Sequence, residues 1–307
     1  MNSLKFRHYA CLLFLLAILT GCAKISMVQL VLMPENGIKP DSETFAALKN
    51  QLEKRLSDEG FQDAKVSMDE TGNKVLVSAG VNIENEELMK KYRGLFSSTR
   101  LEFWDTYSQN DPEVTGFLAD LPAITGFIPE TSGGAFSNLG YCEEEDRLSA
   151  ISDSLDHLAP KPAHLKLMWS AFKEIRNMVG PQPFVLYMID TRGLDEAPLS
   201  GANLTKAEAQ PDQYTGKVSV VLGFDGPGAK TWADMTRKAA MENHRQIAMV
   251  INGRVFSAPM VMTEIKGGVS SISGDFTQEE AMELAKNIRW GELIVPLSIV
   301  DESVLDQ

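Results

Sequence analysis

The stretch SMVQLVLMPENGIKPDSETFAALKNQLEKRLSDEGFQDAKVSMDETGNKVLVSAGVNIENEELMKKYRGLFSSTRLEFWDTY, residues 26–107, carries the pattern that decides the fold. Val28, Leu30, Val31 and Leu32 make Met27–Met33 a strand, after which Pro40 and Asp41 open a helix. On that helix Phe45, Leu48, Leu52 and Leu56 recur every three or four residues, which puts one apolar stripe on one face. Gly60 stops it, because glycine enters the left-handed region without steric cost. Ala64–Met68 and Lys74–Ala79 are short strands joined by Asp69, Glu70, Thr71, Gly72 and Asn73, which is hairpin chemistry. Leu88, Met89, Tyr92 and Leu95 predict a second helix over Glu84–Phe96, and Leu101–Tyr107 reads as a fourth strand.

Strand, helix, strand, strand, helix, strand is the split βαβ or ferredoxin-like order, in which two helices cover one face of an antiparallel sheet. Beyond it, Gly116, Pro122, Gly126, Pro129, Gly133, Gly134 and Gly140 break up the chain, which reads as an insertion over 108–182. Inside that insertion the spacing predicts helices at Arg147–His157 and at Lys166–Met178, the second carrying Leu167, Ala171, Ile175 and Met178. After Pro181 and Pro183 a second α+β body follows. Phe184–Ile189 and Lys217–Phe224 are strands, and a helix from about Pro227 to Asn243 buries Trp232, Met235 and Ala239. Gln246–Ile251 and Val255–Val261 form a hairpin around Asn252 and Gly253. Thr277 and Glu280 make a capping box for a helix with the stripe Ala281, Leu284, Ala285 and Ile288; Gly291 ends it, and Leu293–Val300 is the last strand. The expected class is α+β, a ferredoxin-like base with an inserted α+β head. Its divisions are 1–21, 22–107 as the base, 108–182, 183–290 as the head, and 291–307 as the return strand.

The composition is that of an ordinary globular chain. Of 307 residues 44% are hydrophobic and 23% charged, enough for about two domains. Forty-two acidic against 29 basic residues give a net charge of −13, which repels phosphate backbones and argues against nucleic acid as a partner. At the N-terminus Lys5 and Arg7 precede an apolar run, Ala10–Leu19, that suits a secretory leader and is too short to span a bilayer. It ends in Leu19, Thr20, Gly21, Cys22, which resembles the lipobox of bacterial lipoproteins. That resemblance implies cleavage before Cys22, acylation of its thiol, and a periplasm-facing body on a membrane anchor, with the inner or outer membrane left open. Multiple acyl chains anchor stably where one is marginal.

Sites for chemistry are sparse. Gly223–Thr231 (GFDGPGAKT) nearly spells a phosphate loop, but Ala229 displaces Lys230 by one helical position, about 100° round the axis, so no nucleotide is expected. His157, His164 and His244 do not stand at zinc-ligand spacings, and consecutive carboxylates at Glu143–Asp146 splay instead of converging on calcium. Neither a metal nor another cofactor is expected. No G-x-S-x-G elbow occurs and Cys142 has no activating neighbour in sequence, so the chain reads as no enzyme. Phe256, Pro259, Met260 and Met262 are the candidate polypeptide-binding residues, since methionines are flexible, polarizable and suited to promiscuous apolar surfaces. Strand alternation would put Phe256, Met260 and Met262 on one side, either in the head's core or along a groove. Gly180, Pro181 and Pro183 at one crossing and Gly291 at the other are the candidate hinge between base and head.

The run Val255–Leu297 closely resembles the end of the first periplasmic domain of SecD. The resemblance rests on Ser257, Ala258 and Pro259, on Gly267, Gly268, Ile272, Ser273, Gly274 and Phe276, and on Thr277, Glu280, Arg289, Gly291 and Pro296. Upstream it takes in Leu199–Gly201, Val218–Gly228 and Trp232, and in the base the hairpin and LEFW, so it spans roughly 26–300. Trp104, Trp169 and the insertion look most like the fused SecDF proteins of Bacteroidetes. The resemblance implies a role beside the Sec translocon membrane proteins, handling unfolded exported polypeptide. SecD's proton-conducting groups lie in membrane spans that have no counterpart up to Gln307, so a module without its own motor is expected. The alternative is an envelope scaffold or adaptor that docks on Sec or other membrane proteins.

Overall fold

The computed structural model describes residues 25–305 apart from 36, 120, 122, 131–132, 159–160, 175–181 and 212–216. The chain divides into two compact units. One takes the chain up to Ser97 and from Leu293 onward; the other is Ser98–Glu292.

The first unit contains β1 (Ile25–Pro34), α1 (Ser42–Asp58), β2 (Lys65–Met68), β3 (Val75–Asn82) and α2 (Glu86–Gly94). Asp41 caps α1, its carboxylate accepting the Thr44 N–H at 2.7 Å. Leu48, Leu52 and Leu56 form the buried stripe that the periodicity predicts. In the hairpin Asp69 accepts from the N–H groups of Asn73 and Lys74, and Gly72 takes φ 70°, where a side chain would be strained. Tyr92 is fully buried and its hydroxyl donates to the Val77 carbonyl at 3.1 Å. Arg55 is buried too, and its guanidinium donates to the carbonyls of Leu95 (2.9 Å) and Ser97 (2.7 Å), closing the chain after α2. Desolvation pulls its pKa down to about 10, so the charge is kept at neutral pH.

The second unit continues with β4 (Leu101–Thr106), α3 (Pro112–Ala119), β5 (Ile128–Pro129), β6 (Asn138–Cys142), α4 (Leu148–Asp156), β7 (Leu165–Trp169) and β8 (Phe184–Asp190). Next come β9 (Leu199–Ser200), β10 (Leu204–Pro211), β11 (Val218–Phe224), α5 (Gly226–Met241), β12 (Ile247–Ile251), β13 (Arg254–Ser257), β14 (Val269–Phe276) and α6 (Gln278–Trp290). β15 (Leu297–Leu305) returns the chain to the first unit.

The base sheet has the order β15-β1-β3-β2, the antiparallel ferredoxin-like order, but its fourth strand is the last one in the chain. The expected fourth strand, Leu101–Tyr107, pairs instead with β12 in an eight-stranded sheet of the second unit. Burial gives the reason: all six residues of β4 are buried, which suits a strand covered on both faces, whereas β1 and β3 alternate toward a single layer of helices. The two compact units meet at 97/98 and 292/293.

Residues 108–182 are also more than a connector. Val114, Phe117, Leu139, Ile151 and Leu155 pack with Leu186 and Met188 into a core of their own. Where the spacing predicts a helix from Lys166, the chain forms β7, which pairs with β8 from Leu165↔Asp190 to Trp169↔Leu186. A parallel bridge from Ser170 to Val255, with the Ala171 N–H on the Val255 carbonyl at 2.8 Å, then brings β7 back to β13. β13, β12, β4, β8 and β7 thus close into a small ring that holds Trp104, Met168, Val185, Tyr187, Ile189 and Val250. On the other face of β4 and β12, Phe103, Ile247 and Met249 pack against α5, α6 and the three-stranded sheet β10-β11-β14.

Candidate functional site

Two cavities of about 950 and 710 Å3 open in the second unit, sharing Ser257, Pro259 and Ser273 as a common rim. The first lies where the ring seam meets β14 and α6. Ser170 builds its outer wall, since its hydroxyl accepts the Val185 N–H at 3.0 Å and donates to the Phe172 carbonyl at 2.6 Å. This fixes the backbone that carries Phe172, a ring still 50% exposed. Phe172 stands edge-on to Phe256 at 5.0 Å and to Phe276 at 6.2 Å. Offset, edge-to-face geometry is the favoured one for such rings. Opposite them, Tyr187 donates to a Glu174 carboxylate oxygen at 2.7 Å, and α6 contributes Glu283 and Leu284.

The second cavity is lined by Met260, Met262 and Ile265, with Trp232 and the edge of β14 facing them. The loop is pinned at both ends. Gln246 Nε2 donates to the Ala258 carbonyl and the Val261 N–H to the Arg245 carbonyl (3.1 Å), while the Ile265 N–H reaches Thr236 Oγ1 on α5 (2.9 Å). Met260 is 39% and Met262 62% exposed, although the backbone that carries them is held.

Phe256 and the two methionines do not share a face. β13 ends at Ser257, so strand alternation stops there, and Phe256 lines the first cavity while Met260 and Met262 line the second. Pro259 lines both. Of the hinge residues, Gly180 and Pro181 lie outside the described residues, as does Cys22. Pro183 lies inside the second unit, its carbonyl accepting the Glu174 N–H, and not at the boundary between the two units. Gly291 does adjoin the 292/293 boundary and takes φ 65° as the C-cap of α6. Phe172, Phe276 and the serines of β14 are the site residues that sequence reasoning passes over. Val269, Ser271 and Ser273 recur at every second position between Gly268 and Gly274, and that is the weak strand signal for the serines.

Elsewhere the geometry is structural. Asp225 caps α5 through the Gly228 N–H at 2.7 Å, which accounts for the glycine-rich turn. The Thr277–Glu280 capping box forms with both arms, at 3.2 and 2.8 Å. Burial raises the pKa of the Cys142 thiol, and its Sγ donates to the Glu144 carbonyl. Among the described residues no group of three His, Cys, Asp or Glu is placed to hold a metal ion, and no helix is long and apolar enough to cross a membrane.

Residues 186–295, from β8 to just past α6, match the family model of the SecDF P1 head subdomain. The SecD protein translocase subunit of Syntrophobacter fumaroxidans is 35% identical over 108 residues, which is 35% of this chain and 20% of that protein. That of Desulfurispirillum indicum is 32% identical over 149 residues, 48% of this chain and 27% of that protein. The chain thus spans about a quarter or less of the SecD proteins it matches. A solved structure described as a membrane component SecDF that enhances protein export is alike in fold, with a TM-score of 0.53 at 21% identity over 89% of this chain and 98% of that one. The P1 head match takes in Phe256, Pro259, Met260, Met262 and all of β14; Ser170, Phe172 and Glu174 lie upstream of it, in the stretch read as an insertion.

Proposed function

We propose that this chain is a lipid-anchored, periplasm-facing accessory of Sec-dependent protein export that holds translocating or newly exported polypeptide at the paired cavities. The observation that carries this is the P1 head match together with apolar side chains held exposed on pinned backbone, Phe172 on one cavity and Met260 and Met262 on the other. An unfolded segment offers apolar groups in no fixed order, and flexible thioethers with rings at two stations accept many of them. The anchor would be Cys22, and the stretch around Phe172 would be a feature shared with the fused SecDF proteins of Bacteroidetes. The role needs no catalysis and no proton-driven motor within this chain; energy would come from a neighbouring translocon.

Crosslinking the tagged protein in intact cells, separating the two membranes and identifying the attached chains tests this. Recovery of incompletely folded exported polypeptide or Sec channel subunits is the expected result. The double change Met260→Ser and Met262→Ser should leave the melting temperature within about 2 °C, because both side chains are exposed and neither belongs to a buried core, yet reduce client crosslinking several-fold. Global unfolding of that variant would place the methionines in the core and sink the reading. The adaptor reading has one observation in its favour: Ile25, Met33, Ile299 and Leu305 leave the base with exposed apolar surface. Recovery of one defined membrane complex without heterogeneous clients would favour it.

A further inference from the structure

The sheet β10-β11-β14 has two edges of opposite character. β10 carries the ion pair Lys206–Glu208 (2.9 Å) and ends in Pro211. Charge, lysine above all, and proline are the means by which edge strands are kept from pairing with other chains. β14 reads VSSISGDF, with neither a basic residue nor a proline.

The register shows what that edge offers. The Phe224 N–H donates to the Gly268 carbonyl at 2.9 Å, and Leu222 and Val220 stand opposite Ser270 and Ile272. In an antiparallel ladder hydrogen-bonded and non-hydrogen-bonded pairs alternate, so Ser270 and Ile272 turn their main-chain groups toward β11. Val269, Ser271 and Ser273 turn theirs away. The first of these outward carbonyls, on Val269, is taken by the Trp232 indole N–H at 3.2 Å. Ser271 and Ser273 are exposed, and among the described residues no group hydrogen-bonds their outward N–H and C=O. This edge is also the shared wall of the two cavities: Val269, Ser271 and Ser273 face the methionines, and Ser273, Gly274 and Phe276 face the phenylalanines.

We propose that the edge of β14 captures an extended polypeptide as an added strand, through main-chain hydrogen bonds at Ser271 and Ser273, with side chains of the guest entering the methionine cavity at one end and the aromatic cavity at the other. This rests on the polypeptide-binding reading and states its mode. Main-chain pairing is indifferent to sequence, and the charged, proline-ended β10 leaves β14 as the edge at which this sheet accepts a strand. The guest therefore is recognised by being extended and apolar at alternate positions, and a folded domain, whose main chain is already paired, is refused.

The full chain would be titrated with a capped peptide of about seven alternating Thr and Val residues, the length that runs along β14. Two N-methylated forms complete the set, one methylated at every Val nitrogen and one at every Thr nitrogen. In an extended chain alternate N–H groups point to opposite sides, so one series loses the donors facing β14 and the other does not. The expected result is a loss of about tenfold or more in affinity for one series and little change for the other. Ser271→Pro, which removes an outward N–H and leaves the ladder to β11 intact, should lose as much while keeping its melting temperature. If the parent peptide and both methylated series bind alike, polypeptide binding stands and the added strand falls. If the parent peptide does not bind at all, the polypeptide-binding reading of this site falls with it. A dimer by sedimentation that Ser271→Pro dissolves, with no peptide bound, would overturn the proposal in favour of a second copy of this chain as the occupant.

Discussion

β4 and β15 are both eligible for the fourth place in the base sheet, and their sequences decide between them. LEFWDT (101–106) is buried at every residue, while LSIVDESVL (297–305) is buried only at Leu297. A strand with apolar groups on both faces is stabilised most between two layers, so β4 runs between the ring interior and the core under α5. A strand with Asp301 and Glu302 at its middle tolerates an edge, where charge also discourages pairing with other chains. Strand identity is thus set by how many faces must be covered, a property that order along the chain does not reveal.

The widest gap between the two strands should appear on truncation. Phe103→Ala empties a site that is fully buried, 5.4 Å from both Phe224 and Trp232, and should cost about 3–5 kcal/mol by urea unfolding followed through tryptophan emission. Ile299→Ala on β15, already partly exposed, should cost about 1 kcal/mol or less; equal losses at the two positions would break the contrast. The base has its own buried charge, and Arg55→Met should remove about 2–3 kcal/mol by leaving the Leu95 and Ser97 carbonyls without their donor. Retention of full stability would show that the α2 end closes by other means. On the β15 edge, Arg93 grips Glu302 with two hydrogen bonds (2.6 and 2.7 Å), yet both groups are well exposed, so Glu302→Gln should cost about 0.5 kcal/mol.

The last pair carries a pH signature. Hydrogen bonds from Arg93 hold the Glu302 carboxyl below its usual range. The folded state then binds the proton less readily than the unfolded one, so the pair stabilises the fold above the unfolded carboxylate pKa and loses that contribution as pH falls through the lowered value. The stability difference between the parent chain and Glu302→Gln should be constant near neutrality and fade on acidification below the usual carboxylate range. A difference that grows on acidification would contradict the assignment.

Much of the base was legible because its signals are local. The α1 stripe, the Asp69–Asn73 turn and the cap of α1, like the cap of α6 and the stop at Gly291 in the second unit, all rest on residues within a few positions of one another. The segment Lys166–Met178 misleads because Leu167, Ala171 and Ile175 satisfy a helical period while Leu165–Trp169 is claimed by pairing with β8. At the candidate site the methionines were legible by residue type, but their placement was not. Alternation holds only within a strand, and β13 stops two residues after Val255. Phe172 and Phe276 meet across a sequence separation of about a hundred residues, which no periodicity encodes.

The sequence by itself determined the elements of the base, the capped helices, the acidic balance and the head segment that resembles SecD. Each depends on composition, on short-range spacing or on an ordered match of residues. The tertiary structure alone decided that β15 and not β4 completes the base sheet, that β7 closes a ring on β13, and that Ser271 and Ser273 present an open edge between two cavities. Those outcomes depend on which distant surfaces cover one another, and strand pairing is a contest between segments that the local pattern of either one cannot resolve.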